Sequence, residues 1–157
     1  MNIYTTDKIR NVVLLGHGGS GKTSLAEAFG YLSGITSRMG KVDDGNTLSD
    51  YSKEEQKRHF SISTSVIPIE WEGYKINIID TPGYFDFVGE VEEAVSAAGA
   101  AIIVVNGKSG IEVGTQKAWE LCEKYKLPRF IYVSNMDVDN ASFRQVCLLY
   151  TSPSPRD

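Results

Sequence analysis

The run Gly16-His17-Gly18-Gly19-Ser20-Gly21-Lys22-Thr23 has the spacing G-x-x-x-x-G-K-[ST], a set of residue types suited to gripping a polyphosphate. Its glycines let the backbone fold tightly, so that consecutive N–H groups turn inward as an anion-binding nest. A helix starting there adds its partial positive charge. Lys22 then reaches the β- and γ-phosphates, the Thr23 hydroxyl ligates Mg²⁺, and Ser24 continues the nucleotide-contacting run. A second group lies downstream. The apolar stretch Tyr74–Asp80 delivers Asp80 to the end of a strand, where an aspartate holds Mg²⁺, often through water. Thr81-Pro82-Gly83 follows. Without a side chain, Gly83 can bring its N–H close to a γ-phosphate, and loss of that phosphate would release the loop. The plainer alternative is a glycine-rich turn in one place and a proline-glycine turn in the other. Strand, glycines, Lys-Thr and helix all stand in register, which favours a bound nucleoside phosphate.

These residues need elements to position them. Val12–Leu15 is an apolar run that predicts a buried strand, and Ser24–Leu32 predicts a helix with Leu25, Ala28, Phe29 and Leu32 on one face. Ile62–Trp71 alternates, placing Ser65, Ile67, Ile69 and Trp71 on one side; Pro68 marks it as an edge strand because proline cannot donate to a ladder. Glu72-Gly73 suits a tight hairpin turn into Tyr74–Asp80. Ala100–Asn106 and Arg129–Ser134 are nearly continuous apolar runs, expected of parallel strands buried on both faces. Between them, Val88, Val91, Val95 and Ala98 share one helical face, and Ala118, Leu121, Cys122 and Tyr125 share another; a last helix is expected near Ala141. This order predicts an α/β fold: a mostly parallel sheet with one antiparallel edge strand, helices on both faces, and phosphate bound at the strands' carboxyl ends. Ile35–Phe60 has no clear periodicity and is either a functional loop or a disordered insertion. Its Lys41, Asp43 and Asp44 are expected to be solvated.

The chain has 157 residues, enough for one α/β core and too few for two sizeable domains. A formal charge of −4 gives no global electrostatic case for binding DNA. No apolar run approaches the roughly 18 residues of a membrane span. The polar N-terminus lacks a signal peptide's apolar core, so a cytoplasmic protein without a membrane partner, monomeric, is expected. Cys122 and Cys147 have no metal-like spacing.

Gly16–Thr23, Asp80–Gly83 and the continuation Phe85-Asp86-Phe87-Val88-Gly89-Glu90-Val91 together resemble the translational GTPases, in particular elongation factor G and its paralogues. The resemblance runs from about Lys8 to Val146. It implies a P-loop NTPase G domain, GTP and GDP with Mg²⁺ as ligands, GTP hydrolysis, and the ribosome as partner. Arg58-His59-Phe60-Ser61-Ile62-Ser63 resembles the family's first switch, which puts Ser61 where a Mg²⁺-ligating threonine is usual; alternatively Ser61 simply opens a strand. His17 matches a histidine common in the family's P-loop, with packing the plainer role.

Three departures accompany the resemblance. Tyr84 follows Asp-Thr-Pro-Gly where most of the family has a water-positioning histidine. A neutral phenol is a poor base at pH 7 but can still orient water, and some paralogues carry the same tyrosine. Its alternative is an aromatic packing beside the second switch. In the guanine-reading motif Asn-Lys-x-Asp, this chain has Ser134-Asn135-Met136-Asp137, keeping the aspartate that contacts the base. Gly19 stands where an acidic or polar residue is common. The resemblance also leaves open a ribosome-protection or release-type factor, and a guanine-nucleotide switch with little hydrolysis; an ATP-using enzyme fits Asp137 and Asp80–Gly83 poorly. Finally, Cys147–Asp157 matches residue for residue a translation of a transposase sequencing adapter. Residues 147–157 are therefore expected to be non-native, and residues 1–146 to form a partial, truncated G domain lacking the family's last guanine-site loop.

Overall fold

A computed structural model of the chain describes residues 3–151. In order, the elements are β1 (Ile9–Gly16), α1 (Lys22–Leu32), α2 (Lys53–Arg58), β2 (Ser65–Trp71), β3 (Tyr74–Asp80), α3 (Val88–Ala97), β4 (Ala100–Asn106), α4 (Val113–Lys124), β5 (Arg129–Ser134) and α5 (Phe143–Thr151). They form one sheet in the order β2-β3-β1-β4-β5. β1 pairs in parallel with β3 and β4, β4 in parallel with β5, and β2 antiparallel with β3. Pro68 does lie on an edge strand. Glu72 and Gly73 turn the hairpin with φ of 46° and 79°, the paired positive values that match a tight turn to twisted strands.

Because successive side chains alternate across a strand, β1 feeds two cores. Val13 and Leu15 join Ile79, Ile103 and Val105 against Val95 of α3, Ala118 and Cys122 of α4 and Val146 of α5. Leu14 joins Ile78, Ile67 and Ile69 against Ala26 of α1. Full burial of each such aliphatic is worth about 1.5–3 kcal/mol. The pleat also assigns the chemistry to a face. Asp80 pairs in register with Leu14, so its carboxylate projects on the α1 side, where Thr23 begins the helix.

Some expectations need correction. β5 is not buried on both faces: Phe130 is 78% and Tyr132 45% exposed. It is the outer strand, and α1 packs mainly over β1, β2 and β3. Trp71, Leu32, Val88 and Tyr125 face solvent at element ends, beyond the cover their helical or strand faces provide. On α1 the expected Leu25 and Phe29 do pack on the core, but the most buried positions are Lys22, Ala26, Glu27 and Gly30. Apart from these corrections, the expected boundary between residues 146 and 147 lies along α5 and stays an expectation, and residues 152–157 of the expected tail lie outside the described residues. Among the described residues no helix is long and apolar enough to cross a membrane.

Candidate nucleotide and cation site

The loop between β1 and α1 closes on itself through Lys22. Its ammonium donates to the carbonyls of Gly16 (3.2 Å) and His17 (2.9 Å), with the side chain 6% exposed. Gly21, the residue before α1, has φ 92°, a left-handed turn that suits glycine and aims the first helical N–H groups into the loop. Burial pulls the Lys22 ammonium down to about 8, against the opposing charge of Asp80. Burial likewise pushes the Asp80 carboxyl up to about 6, held back by Lys22 and by the Thr23 hydroxyl. Gly83 packs directly on Lys22 and Gly18: a Cβ there would sit 2.5 Å from Lys22 Nζ and 2.7 Å from the Gly18 Cα.

Two hydroxyls and two carboxylates converge at the start of α1. The Thr23 hydroxyl donates to Asp80 Oδ2 (2.9 Å) and lies 3.2 Å from the Ser61 hydroxyl, which donates to Asp50 Oδ1 (2.7 Å). Asp50 is 3% exposed, and burial raises its carboxyl above the usual range, opposed by Ser61. Asp80 Oδ1 and Asp50 Oδ2 are buried without a hydrogen-bond partner in the protein. Unpaired carboxylate oxygens cost free energy in a dry site, and two of them beside hydroxyl oxygens form the hard donor set of a small divalent cation. The donor types that converge here, the Thr23 and Ser61 hydroxyls and the Asp80 and Asp50 carboxylates, are of a kind that fits Mg²⁺.

The 35–60 segment is ordered by buried glutamates. Glu27 of α1 accepts from the N–H groups of Gly40 (3.0 Å) and Leu48. Ser52 and Glu55 form a capping box that starts α2, and Glu55 Oε1 also accepts from Ile62 (3.0 Å) and Ser63 (3.1 Å). Burial opposes charge on Glu55, but those N–H donors outweigh it and hold the carboxyl below the ordinary range. The resulting cleft of about 330 Å³ is lined by Gly18, Gly19, Gly21 to Ser24, Asp50, Phe60, Ser61 and Tyr84 among others. Tyr84 packs its ring on Phe60 (centroids 4.8 Å apart) and over Gly18. Asp43 lines the cleft as an exposed residue; Lys41 and Asp44 are exposed too.

Other expected residues are placed differently. The His17 ring turns away to α4, where Nδ1 accepts the Gly114 N–H (3.3 Å) and Nε2 lies 3.6 Å from Glu112. Only its backbone faces Lys22. Ser20 is buried and Gly19 exposed at the loop tip. Ser134 donates to the Ser20 carbonyl (2.6 Å), with the Val105 carbonyl at 3.3 Å, tying the end of β5 to the phosphate loop. Asn135, in a left-handed conformation (φ 52°), and Asp137 are exposed and outside the cleft lining. Sequence reasoning passed over Asp50, Glu27 and Glu55. The Ser-x-x-Glu pattern at Ser52 was a readable signal for α2, whereas no local pattern singles out Asp50.

A phosphate loop at the carboxyl end of a central parallel strand, with a switch-like aspartate on its neighbour, defines a P-loop nucleotide-binding domain. Comparison with known proteins narrows this: the chain belongs to the elongation factor Tu GTP binding domain family, matched over residues 7–151, and is a GTP-binding domain of the translation-factor type. It is 39% identical over 140 residues to ribosome-releasing factor 2, mitochondrial, of Drosophila ananassae, covering 89% of this chain and 19% of that protein. It is 40% identical over 138 residues to elongation factor G 2 of Borreliella afzelii, covering 88% and 21%. A crystal structure of a Thermus thermophilus protein superposes with a TM-score of 0.87 at 39% identity, covering 92% of this chain and 22% of that one. The chain thus spans about a fifth of the length of these relatives.

Proposed function

We propose that this domain binds GTP with Mg²⁺ and hydrolyses it to GDP and phosphate, as the nucleotide-operated part of a cytoplasmic, ribosome-directed factor. The observation that carries the reading is the convergence of Thr23, Ser61, Asp50 and Asp80 beside Lys22. Lys22 and the loop N–H groups hold the β- and γ-phosphates; Thr23, Ser61 and Asp80 hold the cation, joined by Asp50, which also orients Ser61. Bound Mg²⁺ supplies neutralisation of charge on the phosphate oxygens. Gly83 presents its N–H to the γ-phosphate, Asp137 reads guanine, and Ser134 keeps the base-reading turn in register with the phosphate loop. Tyr84 orients water at most, so cleavage is slow until a partner completes the site.

Titration with GDP and ADP in Mg²⁺ tests the nucleotide: GDP is expected to bind at least about tenfold tighter, the worth of one buried charged hydrogen bond. Equal or tighter ADP binding overturns the guanine reading. Single-turnover assays test the reaction, with negligible cleavage expected from this chain and stimulation when the intact protein meets ribosomes. A switch with little hydrolysis is the second reading, favoured by the packing of Tyr84 on Phe60 rather than toward a proton acceptor. Ribosome-stimulated cleavage that is present in Tyr84→His but absent with Tyr84 would favour that second reading.

A further inference from the structure

Four consecutive residues, Ser61 to Thr64, are each held by a carboxylate. Asp50 takes the Ser61 hydroxyl, Glu55 takes the N–H groups of Ile62 and Ser63, and Glu90 takes the N–H of Thr64 (Oε2, 2.8 Å). The Glu90 main-chain carbonyl also accepts the Thr64 hydroxyl (3.2 Å). Asp50 and Glu55 belong to the same 35–60 segment. Glu90 does not: it sits in the first turn of α3, just beyond Gly83 and the 3-10 turn Phe85–Phe87. It is thus a direct tie between the Gly83 loop, which lies against Lys22, and the Ser61 segment, which lies against Thr23.

We propose that Glu90 is a positioning residue that couples the Gly83–Phe87 loop to the Ser61 hydroxyl. This rests on the GTP reading above. Gly83 lies against Lys22 Nζ and the Gly18 N, the donors that a terminal phosphate would engage. A nucleotide with a γ-phosphate must therefore shift Gly83 or draw its N–H inward. The short turn and the first turn of α3 carry that displacement to Glu90, whose two bonds to Thr64 pass it on. Three residues back, Ser61 then moves toward or away from Thr23 and Asp80. A nucleotide-free or diphosphate state makes no such demand on Gly83. The coupling is reciprocal, so weakening it from either side must loosen the other.

The test uses the 157-residue chain, with amide hydrogen exchange in the absence of nucleotide and titration with GppNHp and GDP in Mg²⁺. Glu90→Ala is expected to speed exchange at residues 61–64 about tenfold and to weaken GppNHp about tenfold, the scale of one charge-assisted hydrogen bond, with GDP within about twofold. Thr64→Val, which removes one hydroxyl and leaves the core intact, is expected to speed exchange at residues 86–93, and Thr64→Ser to behave as the parent chain. Unchanged exchange in both Glu90→Ala and Thr64→Val overturns the coupling. So does an equal loss of both nucleotides, which is the mark of a merely structural defect. Failure of the parent chain to bind either nucleotide defeats the GTP reading instead, and the two exchange experiments then decide the coupling alone.

Discussion

Lys22, Thr23 and Asp80 are held among neighbours, whereas Asn135 and Asp137, outside the cleft lining, stand in solvent beside a strand whose Phe130 is 78% exposed. The phosphate end is shaped by contacts within the protein itself: Lys22 on two carbonyls, Thr23 on Asp80, Ser61 on Asp50. The base end is joined to it by one buried bond, from Ser134 to the Ser20 carbonyl. On the function proposed above, affinity and base discrimination would be built separately, with affinity concentrated in the buried half. Mutations should divide along the same line.

The largest effect should come from Lys22→Met, which keeps the buried stem and removes the ammonium. Binding of GTP and GDP is expected to weaken by roughly a hundredfold or more, since at least two charge-assisted contacts worth about 1.5–3 kcal/mol each are lost. Calorimetric titration should show the same loss with ITP. A loss confined to guanine nucleotides would erase the division between the two ends.

The same shaping has a cost that pH exposes in the metal-free chain. Asp80 titrates near 6 when folded, above an unfolded aspartate near 4, so the folded state holds that proton more tightly. Stability should fall as pH rises from about 4 to about 6, by at most about 3 kcal/mol for a shift of this size. Lys22 acts in the opposite direction: folded, it releases its proton near 8, before an unfolded lysine does, so stability recovers as pH rises from about 8 to 10. Thermal melts without metal or nucleotide should show a trough between about pH 6 and 8. Asp80→Asn should remove most of its acid-side arm, leaving the share of the raised Asp50 carboxyl, and raise Tm at pH 7, while Mg²⁺-dependent nucleotide binding is lost. An acid arm that persists undiminished in Asp80→Asn would mean the cost lies elsewhere.

At the base end the expected effect is smaller and selective. Asp137→Ala should cost about 1.5–3 kcal/mol with GDP, the worth of hydrogen bonds to a charged group, and almost nothing with ADP, whose base carries neither the ring N–H nor the exocyclic amine that a carboxylate there would engage. Competition between GDP and ADP reads this directly. Equal losses with both would place Asp137 in a structural role.

The buried half was also the more legible one. The glycine spacing, Lys22-Thr23 and the apolar run ending in Asp80 are local patterns, and β3, β4 and β5 lie where their apolar runs predict. What escaped depends on contacts between distant segments. The 35–60 stretch lacks periodicity because its order comes from Glu27 and Glu55 gripping backbone N–H groups, not from an apolar stripe. Asp50 looks like any polar loop residue until folding brings it to Ser61. The exposure of β5 could not be read from Phe130, Ile131 and Tyr132, since an apolar run records what a strand can bury and not which helix covers it.

Tyr84 lies on the boundary of the comparison, half exposed yet packed on Phe60 and over the phosphate-loop residue Gly18. Its ring and its hydroxyl can be separated. If the ring closes the phosphate end, Tyr84→Phe should leave GTP-analogue affinity within about twofold, while Tyr84→Ala should cost about 0.5–1.5 kcal/mol, the scale of a lost aromatic pair. Stopped-flow binding with a fluorescent nucleotide would resolve both, and the Tyr84→Ala loss should emerge mainly as faster release, because a residue that covers the site slows departure more than arrival. A tenfold affinity loss in Tyr84→Phe would move the working group from the ring to the hydroxyl, and with it the case for a phenol that orients water.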